Sequence, residues 1–284
     1  MARRNNDERQ GAAPQDDAPP ASAVAQPTTG LNFVVPTEVV DLPSRGAFYL
    51  EGHPLHGKDT LEIRHMTAKE EDLLTSKTLL KKGLAIDRLL ENIIIDLPSG
   101  PDHLLIGDKN AIIVATRIAA YGPEYNTRVA CPTCSSVEEF SFNLSESKLM
   151  HPDDTEEAEF EKTENSTFLI NLPKTGVTAE VRLFTGQDEK WLSKMADNKK
   201  KHGLGDATLT DQMRLFIVSL NGIDDKGQIN QFIDAMPAAD SRHLRNVYKT
   251  LNPNIDLTQD FSCDACGAES RMEVPFTSDF FWPQ

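Results

Sequence analysis

Apolar and polar residues alternate in two stretches that lead into helical patterns, one in each half of the chain. Residues 62–67 read EIRHMT and residues 180–185 read EVRLFT, and both have the two-residue period of a β-strand. Each stretch ends in a threonine, and an acidic residue, Glu70 or Asp188, follows three positions later. This spacing is typical of a capping box, so both threonines are predicted to be helix N-caps.

The residues after each N-cap predict three helices. The first ends in lysines and a glycine, at residues 81–83 in one half and 200–203 in the other, which suits the helix dipole and the C-cap. The third opens near Asp108 or Asp240 and stops before a proline. The second has an apolar face in each half, formed by Ile86, Leu89, Leu90, Ile93 and Ile94, and by Met213, Phe216, Ile217 and Leu220.

A Cys-x-x-Cys pair follows the third helix in each half, as Cys131 and Cys134 and as Cys263 and Cys266. The apolar residues after each pair alternate as in a strand and fall at the same offsets. A further echo, LPSRG and LPKTG, precedes the two alternating stretches. Matches that recur in the same order predict an internal duplication. The predicted fold is α+β, with two pseudo-repeated halves that each contain a strand, about three helices and a Cys-x-x-Cys β-hairpin, joined at a zinc-ribbon-like site.

Composition divides the chain into four segments. Residues 1–30 lack large apolar side chains and are predicted to be a disordered tail. Residues 31–144 are expected to form the first pseudo-repeat with its zinc knuckle. The acidic stretch 145–165 predicts a solvated linker. Residues 166–284 are expected to form the second pseudo-repeat, with its own zinc knuckle and an aromatic C-terminus.

Charge and hydropathy exclude several classes of protein. The net charge of −15 argues against a general nucleic-acid binder, because neutralising phosphates requires clustered lysine and arginine. The longest apolar runs are far shorter than the roughly 18 residues of a membrane span. Polar residues also follow Arg3 and Arg4, where a signal peptide would place its apolar region. We therefore expect an intracellular protein that contacts neither nucleic acid nor membrane; its oligomeric state stays open.

The four cysteines are the strongest chemical signal in the chain. A Cys-x-x-Cys turn places two thiolates on one side of a tight loop, and tetrahedral zinc accepts four such sulfurs. If the halves pack about a pseudo-twofold axis, the two turns meet. The sequence therefore predicts one structural Zn²⁺ held by Cys131, Cys134, Cys263 and Cys266. Because a four-cysteine site has no open position for a substrate, no enzyme activity is predicted.

Three other arrangements use the same cysteines. Each pair could close as a disulfide, act as a redox dithiol, or bind its own metal ion. A redox Cys-x-x-Cys normally begins a helix that lowers the thiol pKa, whereas both pairs here enter alternating strands. Separate metal sites would each need two more ligands, and only the first pair has a histidine nearby, His151.

Four aromatic residues lie among residues 276–284. Phe276 continues the second hairpin and is predicted to be core. Phe280, Phe281 and Trp282 either close the protein's own core or form a partner-binding anchor, and both interpretations stay open.

Several motifs together resemble the T4-like phage baseplate hub family. They are LPSRG continuing to His53-Pro54-Leu55, MTAKEED at 66–72, KKG at 81–83 and FFWP at 280–283. The resemblance covers most of residues 31–284 and leaves out the acidic stretch. It implies a viral late protein that contacts other tail and baseplate hub proteins, in the host cytoplasm during assembly or in the virion tail baseplate. It implies no catalytic residues, and the zinc prediction rests on the cysteines alone.

Functions of other classes compete with this one. A transient tail-assembly or tape-measure chaperone would be absent from the mature virion. A zinc-ribbon nucleic-acid-binding regulator would bind DNA tightly and in a salt-sensitive way. A thiol oxidoreductase would reduce disulfides.

Overall fold

Antiparallel strand pairs and short helices alternate along the chain. The computed structural model describes residues 34–154, 159–202, 208–275 and 278–281. Its first series of elements is β1 (Thr37–Asp41), β2 (Thr60–Arg64), α1 (Ala68–Thr75), α2 (Lys77–Lys81), α3 (Ala85–Ile93), α4 (Ile106–Tyr121), β3 (Glu124–Ala130), β4 (Val137–Asn143), β5 (Lys148–Met150) and β6 (Glu161–Lys162). The second is β7 (Phe168–Asn171), β8 (Thr178–Val181), α5 (Gly186–Lys201), α6 (Thr208–Phe216), β9 (Ile217–Leu220), α7 (Lys226–Ala235), α8 (Ala238–Leu251), β10 (Asn254–Asp256), β11 (Thr258–Ser262) and β12 (Glu269–Glu273). This mixture confirms the predicted α+β class.

All the sheets are small and antiparallel. Strands β1 and β2, β3 and β4, and β11 and β12 form two-stranded ribbons, and β6 to β9 form a four-stranded sheet in chain order. Strand β5 pairs with β10, with Leu149 opposite Ile255. The β5–β10 pair joins the segment that follows the β3–β4 ribbon to the segment that precedes the β11–β12 ribbon.

The two predicted N-caps are confirmed, and an arginine at or directly after the end of the preceding strand reinforces each of them. Glu70 accepts hydrogen bonds from the backbone N–H of Thr67 at 3.0 Å and from its hydroxyl at 2.6 Å. Its other oxygen accepts from Arg64 Nη2 at 2.7 Å. The second half repeats this unit, with Asp188 between Arg182 and its N-cap. Strand, cap and first helical turn are therefore fixed as one piece in each half.

A buried aspartate near the start of the third predicted helix holds a Leu-Pro-x-x-Gly turn in each half. Asp108 of α4 accepts from the backbone N–H and the hydroxyl of Ser44, at 2.9 and 2.6 Å, and from the Tyr49 hydroxyl at 2.7 Å. Asp240 of α8 accepts from two backbone N–H groups of the equivalent turn, at 2.8 and 2.9 Å. Burial raises the pKa of Asp108. Burial also acts on Asp240, but the two N–H groups outweigh it and lower its pKa.

The second apolar face in each half continues into extended backbone, contrary to the prediction of one helix. Helix α6 ends at Phe216, and Ile217–Leu220 forms β9 beside β8. Helix α3 ends at Ile93, and Ile94 bridges to Ile63 of β2. A short run rich in β-branched residues suits a helix or a strand, and the open edge of the preceding strand decides between them.

The described residues contain more helices than were predicted. The first helix of the first half is divided at Ser76 into α1 and α2, whereas its counterpart α5 runs unbroken through 16 residues. Helix α7 was missed by the sequence analysis; its N-cap Asp225 accepts from the Gln228 N–H at 2.9 Å. Among the helices of the described ranges, none has the length and apolar content to cross a membrane.

The acidic stretch 145–165 is structured in its described parts. It contributes β5 and β6, and His151 and Pro152 are buried. The ring of His151 stacks on Phe48, with 5.5 Å between centroids. The prediction of a solvated linker missed these contacts, because acidic composition does not exclude a few apolar anchors. Residues 155–158 and the predicted disordered tail, 1–30, lie outside the described residues.

Buried apolar side chains from both halves form one cluster within residues 35–284, which are a single compact unit. Ile63 and Leu90 of the first half and Phe168 and Leu244 of the second are each fully buried. The two predicted halves therefore share a core rather than folding around separate ones, and their boundaries stay predictions.

We expect Gly107→Ala to destabilise the protein by about 3 kcal/mol and to lower Tm in a thermal unfolding scan. A methyl group on Gly107, in the first turn of α4, would lie 1.8 Å from the carbonyl oxygen of Pro253. Both are backbone positions, so no side-chain rotation relieves the clash. Gly227→Ala in α7 is the control, since its methyl group meets only an Asp225 carboxylate oxygen at 3.2 Å. Equal Tm values for the two variants would contradict this packing.

We expect Glu70→Gln to destabilise the protein by about 3 kcal/mol at pH 7, and by less in acid. Burial alone would raise the pKa of Glu70, but Arg64 and Thr67 outweigh it and lower the pKa from 4.5 to about 2. The carboxylate's contribution is therefore complete above pH 4.5 and is lost as the pH falls towards 2. Urea unfolding at pH 7, 5 and 3 measures the difference from wild type. Asp72→Asn, at an exposed neighbouring position, is the control and should change the free energy of unfolding little at all three pH values. The same small change in Glu70→Gln would refute the buried ion pair.

Candidate metal centre

Each Cys-x-x-Cys segment forms a tight turn of the same kind. The first turn connects β3 to β4 and the second connects β11 to β12. The Cys131 N–H donates to the Ser136 carbonyl at 2.8 Å, and the Ser135 N–H donates to the Cys131 carbonyl at 2.9 Å. The second turn has the same pair of bonds around Cys263, at 3.0 and 2.8 Å. The residue after each second cysteine adopts positive φ, 60° at Ser135 and 68° at Gly267. This backbone path brings both thiols of a pair to one side.

Side-chain packing brings the two ribbons together. The Phe140 ring of β4 meets the Phe261 ring of β11 edge-on, with 5.1 Å between centroids. At the far end from the cysteines, the Gln259 amide clamps the backbone of Asn143, donating to its carbonyl at 2.6 Å and accepting from its N–H at 3.0 Å. The aromatic contact and the amide clamp fix how the ribbons lie, so the tips face each other.

The four sulfurs converge into one group. Cys131 Sγ lies 3.8 Å from Cys266 Sγ, and Cys134 Sγ lies 3.8 Å from Cys263 Sγ. All four lie within 4.8 Å of one another. A tetrahedral ion with metal–sulfur bonds of about 2.3 Å requires sulfur–sulfur edges of about 3.8 Å. The four predicted ligands therefore form a set that fits a metal ion, and soft thiolates suit zinc or iron.

The same geometry bears on the other arrangements of the cysteines. All four cysteines are free, and the closest sulfur pairs join different ribbons. Each pair also sits in a turn between two strands rather than at a helix start, which is where redox pairs have lowered thiol pKa values. Since the sulfurs form one group, neither pair needs a distant ligand such as His151.

Ser136 and Glu138, both from the β3–β4 ribbon, contact the second cysteine turn. The Ser136 hydroxyl lies 3.0 Å from Cys134 Sγ and 3.3 Å from Cys263 Sγ. Glu138 accepts from the Asp264 N–H at 3.2 Å. The equivalent of Ser136 in the second turn is an alanine, so only one turn supplies a hydroxyl. Sequence reasoning missed both residues, because their proximity to the second pair is a property of the assembled ribbons.

Hydrogen bonds and neighbouring sulfurs shift the pKa values of the thiols in opposite directions. The hydroxyl and the backbone N–H of Ser136 lower the pKa of Cys134 to about 6. A backbone N–H of Ala268 favours the Cys266 thiolate, but the neighbouring sulfurs, Cys134 first, outweigh it and raise the pKa of Cys266 to about 12. Four thiolates at this spacing repel one another, so the fully ionised set requires a cation.

The aromatic residues near the C-terminus pack against the β3–β4 ribbon and α4. Phe280 and Phe281 are 2% and 3% exposed. The Phe280 ring lies edge-on to Tyr125 at 5.2 Å, and its carbonyl accepts from Arg117 Nε at 2.6 Å. Of the two interpretations, these contacts favour packing within the chain for Phe280 and Phe281. The predicted partner anchor Trp282 and the predicted core residue Phe276 lie outside the described residues.

Comparison with models of known protein families finds a match in the first half of the chain. Residues 37–165 match the family model described as T4 bacteriophage base plate protein. The match supports the predicted likeness to T4-like phage baseplate proteins over β1 to β6 and the first cysteine pair. It includes the acidic stretch, which the sequence resemblance left out, and ends before β7. No curated protein and no solved structure matches the chain.

We expect Ser136→Ala to weaken metal binding by about tenfold or more, because outer hydrogen bonds orient the ligands and stabilise thiolate charge. A competition titration with Zn²⁺ and a chromophoric chelator measures the change in affinity. Ser262→Ala is the matched control, since that serine is exposed and adjacent to Cys263 in the same ribbon. Unchanged affinity in Ser136→Ala would mean that the hydroxyl has no part in the site.

Proposed function

We propose that this protein is a structural or assembly component of a contractile phage tail baseplate, and that it acts at the hub through contacts with other tail proteins. The match of residues 37–165 to the base plate family carries the proposal. The motifs at 42–55, 66–72 and 81–83, which resemble hub proteins, fall inside that segment and support the hub assignment. Its places of action would be the host cytoplasm during assembly and the tail baseplate of the virion.

The proposed role is structural and involves no catalysis. Four thiolates complete the coordination of a tetrahedral ion and leave no position for a substrate or a reactive water. The metal would supply folding energy and cross-link distant segments. The ligands would be Cys131 and Cys134 from one ribbon and Cys263 and Cys266 from the other.

We further propose that the metal is one Zn²⁺ and that the halves arose by duplication. The repeated Arg–Thr–acid unit, the buried aspartates Asp108 and Asp240 and the two identical turns support the duplication. In a duplicated scaffold the two ribbons are equivalent, and a single ion between them joins the halves symmetrically. The strand β9 and the division of α1 from α2 are then later divergences.

The protein purified from infected or expressing cells should contain one zinc ion per chain, measured by elemental mass spectrometry. Removing it with a strong chelator should lower Tm by about 10 °C, because the ion contributes to folding. Cys266→Ser should abolish the bound zinc. The control Ala196→Ser, at an exposed position outside the turns, should leave the zinc content unchanged. Stoichiometric iron would contradict zinc, and a full zinc content in Cys266→Ser would contradict the four-cysteine site.

The baseplate role predicts peptides of this chain, at constant stoichiometry, in purified particles of the phage that encodes it. Quantitative mass spectrometry of whole particles and of isolated tails provides the measurement. Its presence in tail intermediates and its absence from mature particles would instead favour the transient chaperone. Tight DNA binding that weakens steeply with salt would favour the nucleic-acid-binding regulator.

A further inference from the structure

Two sulfur–sulfur contacts of the cysteine group each join one ribbon to the other. Cys131 Sγ lies 3.8 Å from Cys266 Sγ, and Cys134 Sγ lies 3.8 Å from Cys263 Sγ. The chain contains four cysteines, so these two contacts include every thiol that it has. The group therefore divides into two pairs, and each pair connects the β3–β4 ribbon to the β11–β12 ribbon.

Each of these pairs combines one exposed thiol with one buried thiol. Cys134 and Cys266, the second cysteines of the two turns, are exposed, whereas Cys131 and Cys263 are each 2% exposed. A reagent in solution therefore reaches one sulfur of each pair first, and the buried sulfur of the other ribbon lies against it. Disulfide formation uses an exposed thiol and a neighbouring resolving thiol arranged in this way.

The two turns can make the movement that a disulfide requires. A sulfur–sulfur bond is about 2.05 Å long, so the sulfurs of each pair must approach from 3.8 Å by roughly 1.8 Å. The residues between the cysteines, 132–133 and 264–265, are exposed, so a shift there leaves the core intact. The ring contact of Phe140 with Phe261 and the Gln259 clamp keep the ribbons in place.

Oxidation would relieve the same repulsion that a metal ion relieves. Four thiolates within 4.8 Å of one another are mutually repulsive, and a Glu138 carboxylate oxygen lies a further 3.7 Å from Cys263 Sγ. A disulfide carries no charge. Two disulfides therefore remove all four negative charges without a cation.

Pairing between the ribbons would join distant parts of the chain. The two bonds would connect residues 135 and 129 positions apart in sequence. A disulfide that closes a longer loop removes more conformational entropy from the unfolded chain. A bond within either turn would span only the Cys-x-x-Cys segment itself and leave the ribbons unjoined.

We propose that the cysteine group is an oxidation site, at which a disulfide oxidant such as glutathione disulfide converts the four thiols into two bonds between the ribbons, Cys131–Cys266 and Cys134–Cys263. The inference rests on the proposed function, which places the protein first in the host cytoplasm and then in the virion. Cytoplasmic thiols are kept reduced and leave the sulfurs to the metal ion, whereas the medium outside the cell favours disulfides. The oxidised form then keeps the two halves joined without a metal ion.

The reaction balances for each pair. The exposed thiolate, Cys134 or Cys266, attacks one sulfur of glutathione disulfide, forms a mixed disulfide and releases one glutathione thiolate. The buried thiolate of the other ribbon, Cys263 or Cys131, then attacks the protein sulfur of that mixed disulfide and releases the second glutathione thiolate. Two protein thiolates have lost two electrons, and glutathione disulfide has gained them. Each bond removes two ligands from the metal ion, which is released as the hydrated cation.

Peptide mass spectrometry of the full chain tests the pairing. The chain is purified, its zinc content is measured, and it is treated with excess glutathione disulfide, blocked with iodoacetamide and digested without reduction. We expect the cross-linked peptides Cys131–Cys266 and Cys134–Cys263, with release of the bound zinc to a chromophoric chelator. Bonds within the turns, Cys131–Cys134 and Cys263–Cys266, would overturn the proposal, and so would four thiols that stay reduced.

Two matched variants distinguish the pairings one bond at a time. Oxidised Cys134→Ser should contain the Cys131–Cys266 bond and a free Cys263, whereas pairing within turns would give Cys263–Cys266 and a free Cys131. Oxidised Cys131→Ser should contain the Cys134–Cys263 bond and a free Cys266. The connectivity of the wild-type chain decides the question if either variant does not fold.

Thermal unfolding tests whether the disulfides replace the metal cross-link. We expect the oxidised wild-type chain to have a Tm at least about 5 °C above that of the reduced, chelator-treated chain. A Tm at or below the reduced value would contradict a link between the ribbons. Disulfides between the ribbons in a chain that is absent from phage particles would refute the baseplate role and leave the oxidation site intact. Disulfides within the turns in a chain that is present in particles would do the reverse.

Discussion

The structure depends on the meeting of two ribbons whose cysteines are as much as 135 residues apart in sequence. Closing a loop of that length costs conformational entropy, and edge-on aromatic packing and one glutamine clamp hold the ribbons together before any metal is considered. The four sulfurs then lie at the spacing of a tetrahedral ligand set. Their mutual repulsion as thiolates opposes this arrangement, and a divalent cation reverses the sign of that interaction. A metal ion at the tips would therefore stabilise the contact between the halves more than either half alone.

The same physical devices recur in each half, and their differences are informative. An arginine, a threonine and an acidic residue at three-residue intervals lock a strand to a helix, and a buried aspartate on a later helix holds the turn before that strand. Around the cysteines the equivalence ends, because Ser136 supplies a hydroxyl to two sulfurs and its counterpart Ala268 has none. The helices differ too, since the first half has the broken α1–α2 pair where the second half has the continuous α5. The locally stabilising contacts are thus repeated in both halves, whereas the surroundings of the cysteines are not.

Ion pairs join helices of the two halves. The chain is acidic as a whole, and lysines and carboxylates join α3, α4 and α5. Asp87 and Lys109 are buried as an ion pair and, together with Lys190, hold α3 and α4 against α5. The geometry of the cysteine group likewise suits a metal cross-link between the two ribbons.

Local patterns in the sequence determined the alternating strands, the threonine N-caps, the start of the third helices and the two Cys-x-x-Cys turns, because each depends on residues within one or two turns. Tertiary structure alone decided whether Ile217–Leu220 would be helix or strand, since a short β-branched run suits both and only the open edge of β8 selects one. It also decided that the acidic stretch adds strand β5 to β10, that Phe280 and Phe281 turn inward, and that Ser136 reaches a cysteine of the other ribbon. These outcomes depend on surfaces brought together from distant parts of the chain, and no spacing along the sequence records which surfaces will meet.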